Sequence, residues 1–192
     1  IDVVIYQFVT LVRSGQPVKM STRKATFVTL DELMNEVGED VTRFFFLMRS
    51  PNTHLEFDLD LAKEASDTNP VFYLQYAHAR IQSILRKASE LGLGNGLEAD
   101  VTLLTHDAEI TLMKTLMGLP DSIVRAATHS EPHRLAGYLR EVAVAFSQFY
   151  NHCRIVGEEE KLAAARLQLA RATALVLCNG LTVLGISAPD RM

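Results

Sequence analysis

Along most of the chain apolar residues recur in alternating steps of three and four, the spacing of a helix with one buried face. The longest well-marked run is Leu74, Ala77, Ile81, Ile84, Ala88 and Leu91. It is opened by Asn69, a good N-cap, and by Pro70 at the first helical position, where a missing N–H costs nothing. It stops before Gly92, which suits a C-terminal cap. A second stripe, Leu135, Leu139, Val142, Phe146, Phe149, Cys153 and Val156, follows Ser130 and Pro132, which mark its predicted start. Residues 161–184 are Ala- and Leu-rich with apolar positions on several faces, the pattern of a helix inside a bundle. Shorter helices are predicted over 106–117, capped by Thr105 and ended by Gly118 and Pro120, and over 121–128.

Before residue 69 the pattern changes. Residues 1–12 are rich in Val, Ile, Tyr, Phe and Thr and predict a strand, with a turn at 13–17. Thr26-Phe27-Val28 predicts a second extended piece after the polar loop 19–24. Thr29 and Glu32 have the spacing of a capping box, so a helix is expected to start there and run to Val37, where Gly38 interrupts. Over 41–48 the cluster Phe44, Phe45, Phe46 and Leu47 is expected to be buried. Residues 55–57 read as extended, 59–65 as a short helix, and 92–96 as a flexible connection.

Two stripes carry a second feature. At about 100° per residue, Tyr73, Tyr76 and Arg80 form a row beside the buried face of their helix, not within it. Tyr150 and Arg154 lie in the same relation to the 135–156 stripe. Such rows can stack unpaired bases and hold a phosphate, and they can equally be a packed rim of rings with a snorkelling guanidinium.

Charge and composition narrow the field. The 192 residues carry a net charge of −4 with a pI near 5.9, so nucleic acid is not expected to be coated through a broad basic surface. Any such binding must be local. No apolar run reaches the roughly 20 residues that span a bilayer, and no secretory signal opens the chain, so the expectation is no membrane and a cytoplasmic location. Cys153 and Cys178 sit among apolar neighbours and are expected to be reduced, buried thiols. The histidines are scattered without zinc spacing, so no metal site is expected. There is no nucleophile–His–acid set, and the acidic pairs read as caps or solvated charge. The chain starts in mid-pattern without an initiating methionine and reads as a portion of a longer one.

Several segments in order resemble the C-terminal part of the bacterial-type arginyl-tRNA synthetases, which are class I enzymes. They are residues 16–23 with Lys19-Met20-Ser21-Thr22, then 26–30, then 57–63, then 69–80 with Tyr76-Ala77-His78-Ala79-Arg80, and finally 179–185 with the closing Ala188-Pro189-Asp190-Arg191-Met192. The resemblance implies a mainly α fold: a helical anticodon-binding bundle over 69–192, preceded by a small α/β remnant of a Rossmann-type catalytic domain over 1–30 and a connecting, stem-contact segment over 31–68. It implies that Lys19, Met20, Ser21, Arg23 and Lys24 belong to the loop that closes on ATP and stabilises charge on the departing pyrophosphate. Thr22 stands where that loop's second lysine is usual, which leaves Arg23 or Lys24 to supply the cation.

By the same resemblance Tyr73, Tyr76, Arg80, Tyr150, Arg154 and Met192 meet the anticodon loop of arginine tRNA. The intact enzyme would use arginine and ATP with magnesium and act as a monomer. The portion read here lacks the His-x-Gly-His signature and the arginine pocket, so it is expected to bind no cofactor alone and to be catalytically inactive alone. Two rival readings are a helical protein-interaction module and an inactive synthetase paralogue. The strand, basic loop and capping box before residue 40 argue against the first, since an isolated bundle has no use for them.

Overall fold

Ser14 and Gly15 adopt positive φ angles of 52° and 70°, the mirror-image turn whose twist matches a tight hairpin. They fold β1 (Val9–Arg13) back on β2 (Gln16–Pro17), pairing Arg13 with Gln16. β1 also pairs in parallel with β3 (Leu55–Asp58), Leu11 opposite Phe57, giving the order β2-β1-β3. Parallel neighbours need a crossover connection. It is supplied by α1 (Leu30–Val37) and α2 (Glu39–Leu47), separated by Gly38 at φ 92°. The computed structural model describes residues 3, 5–20, 27–93 and 98–192. Ser21, Thr22, Arg23, Lys24 and Thr26 of the sequence reading, and the 94–97 part of the connection, lie outside these residues.

The strand is shorter than the composition of 1–12 suggests. Val9 already meets Leu55, the first residue of β3, so Val3, Ile5, Tyr6 and Phe8 have no ladder register and are exposed. Phe27 and Val28 are likewise in no strand. The capping box at α1 forms as expected, Thr29 Oγ1 accepting from Glu32 N and Glu32 Oε2 from Thr29 N. In α2, Phe44 and Phe45 are buried, whereas Phe46 is 39% exposed. Three consecutive side chains sweep about 200° of a helix and cannot all face one core. Phe46 keeps a tilted ring contact with Phe57, centroids 5.6 Å apart.

After α3 (Leu59–Lys63), which is shorter than the 59–65 reading, come α4 (Pro70–Glu90), a 3₁₀ turn at Val101–Leu103, α5 (Asp107–Leu116), α6 (Leu119–His129), α7 (His133–His152) and α8 (Glu160–Val183). Asn69 caps α4 through bonds from Val71 N and Phe72 N. At the other end Gly92 turns at φ 70° and Leu93 N reaches Ala88 O at 3.0 Å. That turn lets Leu93 pack against the core and leaves Leu91 on the outside, 58% exposed, against its place in the expected stripe.

α5 is capped by His106, not Thr105: His106 Nδ1 accepts from Ala108 N while Glu109 accepts from His106 N. Ser130, expected to open α7, instead closes α6 at φ 54°. α7 ends at His152, so Val156 and Arg154 leave the helix. α7 is the middle of the bundle, packed against α4, α5, α6 and α8, with Leu139, Val142, Phe146 and Phe149 buried beside Leu74, Ile81, Leu177 and Leu181. Both cysteines are free thiols, but Cys178 is only half-buried. Among the described residues no helix is long and apolar enough to cross a membrane.

Candidate nucleic-acid interface

Where α4 and the end of α7 run side by side, their outer shoulders leave a groove of about 510 Å³. It is lined by Tyr76, Arg80, Ser83, Arg86 and Lys87 from α4, Tyr150 from α7, and Arg191 and Met192 from the segment after α8. The guanidinium carbon of Arg80 lies 5.2 Å from the centroid of the Tyr76 ring and 4.7 Å from that of Tyr150. Both contacts are within cation–π range. Tyr76 also stacks on Phe72, with centroids 5.9 Å apart and planes 9° from parallel. Tyr76 and Tyr150 remain 37% and 38% exposed, so each keeps ring area open to the groove.

The groove is cationic on a chain that is acidic overall. Arg80, Arg86, Lys87 and Arg191 line it and, among the described residues, no Asp or Glu side chain does. Among the described residues Arg80, Arg86 and Lys87 form no ion pair with a carboxylate. Open aromatic faces beside cations not neutralised by a carboxylate suit a polyanion whose rings can be unstacked. Small phosphates would find cations there too, but would make no use of the tyrosines.

Four residues from the sequence reading, Tyr76, Arg80, Tyr150 and Met192, thus converge. Tyr73 does not join them. It lines a separate depression between α2, α4 and α7, with Phe44, Arg49, Asp67, His133 and Arg140. Seven residues of helix place it about 10 Å along the axis from Arg80, beyond the groove. Burial, helped by the charge of Asp67, pushes its hydroxyl pKa up. Arg154 borders the groove instead of lining it. Beyond the end of α7 it shares a neighbouring hollow with Lys87 and Tyr150, and its Nε donates to Val156 O at 3.1 Å.

Lys19 is exposed just after β2, next to Val18, whose N–H bonds Leu11 O at 2.8 Å. Met20 is also exposed. The remaining residues of that loop, Ser21, Arg23 and Lys24, lie outside the described residues. Sequence reasoning missed Ser83, Arg86, Lys87 and Arg191. Ser83 and Lys87 were findable, because Tyr76, Arg80, Ser83 and Lys87 continue one face of α4 by steps of four and three, whereas Arg86 lies off that face. Arg191 arrives from the far end of the chain and carries no local signal.

The wall at Arg154 is held from beneath. Arg166 of α8 donates through Nε to Glu109 Oε1 at 2.6 Å and through Nη1 to the Arg154 carbonyl at 2.6 Å. Both Arg166 and Glu109 are buried. Cys153, beside this pair, has its thiol pKa raised by burial and by the Glu109 charge.

Fold and groove together define a class: a helical bundle with a tyrosine–arginine cleft, joined to a small mixed sheet. Residues 74–192 match the family described as DALR anticodon binding domain, and the chain belongs to that family. Curated relatives include the arginine–tRNA ligase of Salinibacter ruber, 62% identical over 192 residues, covering 100% of this chain and 34% of the relative. That of Heliobacterium modesticaldum is 50% identical, covering 100% of this chain and 35% of the relative. The chain therefore spans about a third of the length of these relatives. A solved arginyl-tRNA synthetase structure from Campylobacter jejuni superposes with a TM-score of 0.86 at 29% identity, covering 97% of this chain and 40% of that one. The Thermus thermophilus arginyl-tRNA synthetase gives 0.78 at 26% identity, covering 95% and 34%.

Proposed function

We propose that this chain is the anticodon-reading third of an arginine–tRNA ligase and that the groove between α4 and α7 receives splayed anticodon bases of arginine tRNA. The observation that carries the reading is the Arg80 guanidinium set against the rings of Tyr76 and Tyr150. This arrangement offers stacking faces and phosphate-seeking charge in one place, and the arginine–tRNA ligase name of the relatives supports it. Tyr73 and Arg154 would extend the contact on either side, and Met192 would close it. Residues 69–192 form the anticodon-binding unit, 31–68 the connecting stem-contact segment, and 1–30 the end of the catalytic domain.

In the intact ligase, Lys19, Met20, Ser21, Arg23 and Lys24 belong to a loop that meets ATP, which enters with magnesium. ATP supplies the energy to join arginine to the tRNA. Lys19, exposed at the end of β2, is free to approach a phosphate. The intact protein is a cytoplasmic monomer, and the 192-residue chain alone activates no arginine. Binding of a labelled anticodon stem–loop of arginine tRNA to the chain is the test. Base stacking is worth about 1–3 kcal/mol per base, so Tyr76→Ala and Tyr150→Ala are each expected to weaken binding about tenfold. Unchanged affinity in both overturns the reading.

A further inference from the structure

Residues 187–192 contribute two lining residues to the groove, Arg191 and Met192, yet they carry no regular secondary structure. Fixing an irregular backbone costs conformational entropy at every residue, so something must hold the segment in place. The anchors lie along one stripe of α4: Gln75, His78, Gln82 and Arg86, at steps of three and four. Gln75 Nε2 donates to the Ser187 carbonyl at 3.1 Å and to Asp40 Oδ2 at 2.9 Å. Asp40 in turn accepts from the Ser187 N–H and hydroxyl. His78 Nδ1 is 3.0 Å from the Pro189 carbonyl, and Arg86 Nη1 donates to the Asp190 carbonyl at 3.1 Å. Ser83 Oγ accepts from Arg86 Nη2 at 2.8 Å and steadies that guanidinium.

His78 is the centre of this fastening. It is buried, and it does not line the groove. A carbonyl only accepts, so Nδ1 carries the proton. Nε2 is met by the Gln82 side-chain amide at 3.2 Å, so both ring nitrogens have hydrogen-bond partners.

We infer that His78, supported by Gln82 and flanked by the Gln75–Asp40 pair, is a positioning residue: it pins the Pro189 carbonyl so that Arg191 and Met192 form the end wall of the RNA groove. The inference rests on the tRNA reading above. A segment released from its anchors spends part of its time away from the groove, and affinity falls by the fraction lost.

Asn presents an amide N–H where His78 presents Nδ1–H, whereas Gln presents its amide where Nε2 lies. His78→Gln is therefore expected to weaken binding of the arginine tRNA stem–loop about tenfold and to lower the backbone NMR order parameters of Asp190, Arg191 and Met192, with His78→Asn staying within about twofold of wild type. In a background carrying Arg191→Ala and Met192→Ala, His78→Gln is expected to cost nothing further, the signature of two sites acting through one element. Asp40→Ala, on α2, releases Ser187 without altering the buried histidine and is expected to lower the same order parameters. Equal losses for Gln and Asn, a full loss surviving in the Arg191/Met192 background, or unchanged order parameters in both His78→Gln and Asp40→Ala overturns the inference. A wild-type chain that binds no stem–loop overturns the tRNA reading instead, and the order parameters still decide whether His78 fastens the segment.

Discussion

Single side chains in this protein do separable jobs, and two of them make the point. Arg80 spends its guanidinium on the faces of two tyrosines and lies in no ion pair among the described residues. Lysine keeps the charge but not the plane that stacks. Arg80→Lys is therefore expected to weaken stem–loop binding severalfold while leaving thermal stability within about 0.5 kcal/mol, which a melt run beside the titration checks. Tyr138 is the opposite case, a buried ring whose hydroxyl donates to the carbonyls of Thr115 and Leu116 at 3.0 and 3.1 Å. Burial, with Glu141 nearby, pushes its pKa up to about 12. Its folded pKa lies above the unfolded value near 10, so its contribution is complete below pH ~10 and lost as pH rises toward 12. Ultraviolet titration should show Tyr138 ionising near pH 12, with Tyr73 also later than a free tyrosine, and Tyr138→Phe should remove the step near 12 and cost about 1 kcal/mol.

Between elements, the contacts that matter are the ones the chain cannot announce locally. Gly180 in α8 faces Leu139 in α7, and a Cβ there would overlap the Leu139 side chain, which is buried. Alanine gains about 1 kcal/mol of helix propensity over glycine, yet overpacking a closed core costs about 1–3 kcal/mol. Gly180→Ala is expected to lower the melting temperature; a rise would mean the two helices are free to part. Glu109 and Arg166 tie α5 to α8 by a buried pair. Removing one partner strands the other, so Arg166→Met is expected to cost about 3–5 kcal/mol in a denaturant titration, more than any surface pair such as Arg134–Glu131. Helix identity was legible from periodicity and capping: Asn69, the Thr29–Glu32 box and Gly92 act as their types predict. Boundaries were less so. His106 displaced Thr105 because Glu109 sits three residues from it, completing a box that the simpler cap preference overlooks, and Ser130 served the end of α6 because a left-handed turn was needed there.

At the scale of the whole molecule, an acidic chain concentrates cations in one cleft built from three distant stretches: α4, the end of α7 and residues 191–192. The sequence placed Tyr76, Arg80 and Tyr150 on the shoulders of their helices, since helical angle is a local property. It could not tell that Tyr73, about two turns of α4 before Arg80, falls too early to join the groove, nor that Arg191 closes it, because both depend on how helices dock. The central claim is that this groove reads bases and does not merely attract RNA. Equilibrium binding of stem–loops identical except for the three anticodon bases tests it most directly. The account predicts that the arginine anticodon binds at least about tenfold more tightly than an unrelated triplet, a difference of about 1.4 kcal/mol. Equal affinity for both stem–loops would contradict it.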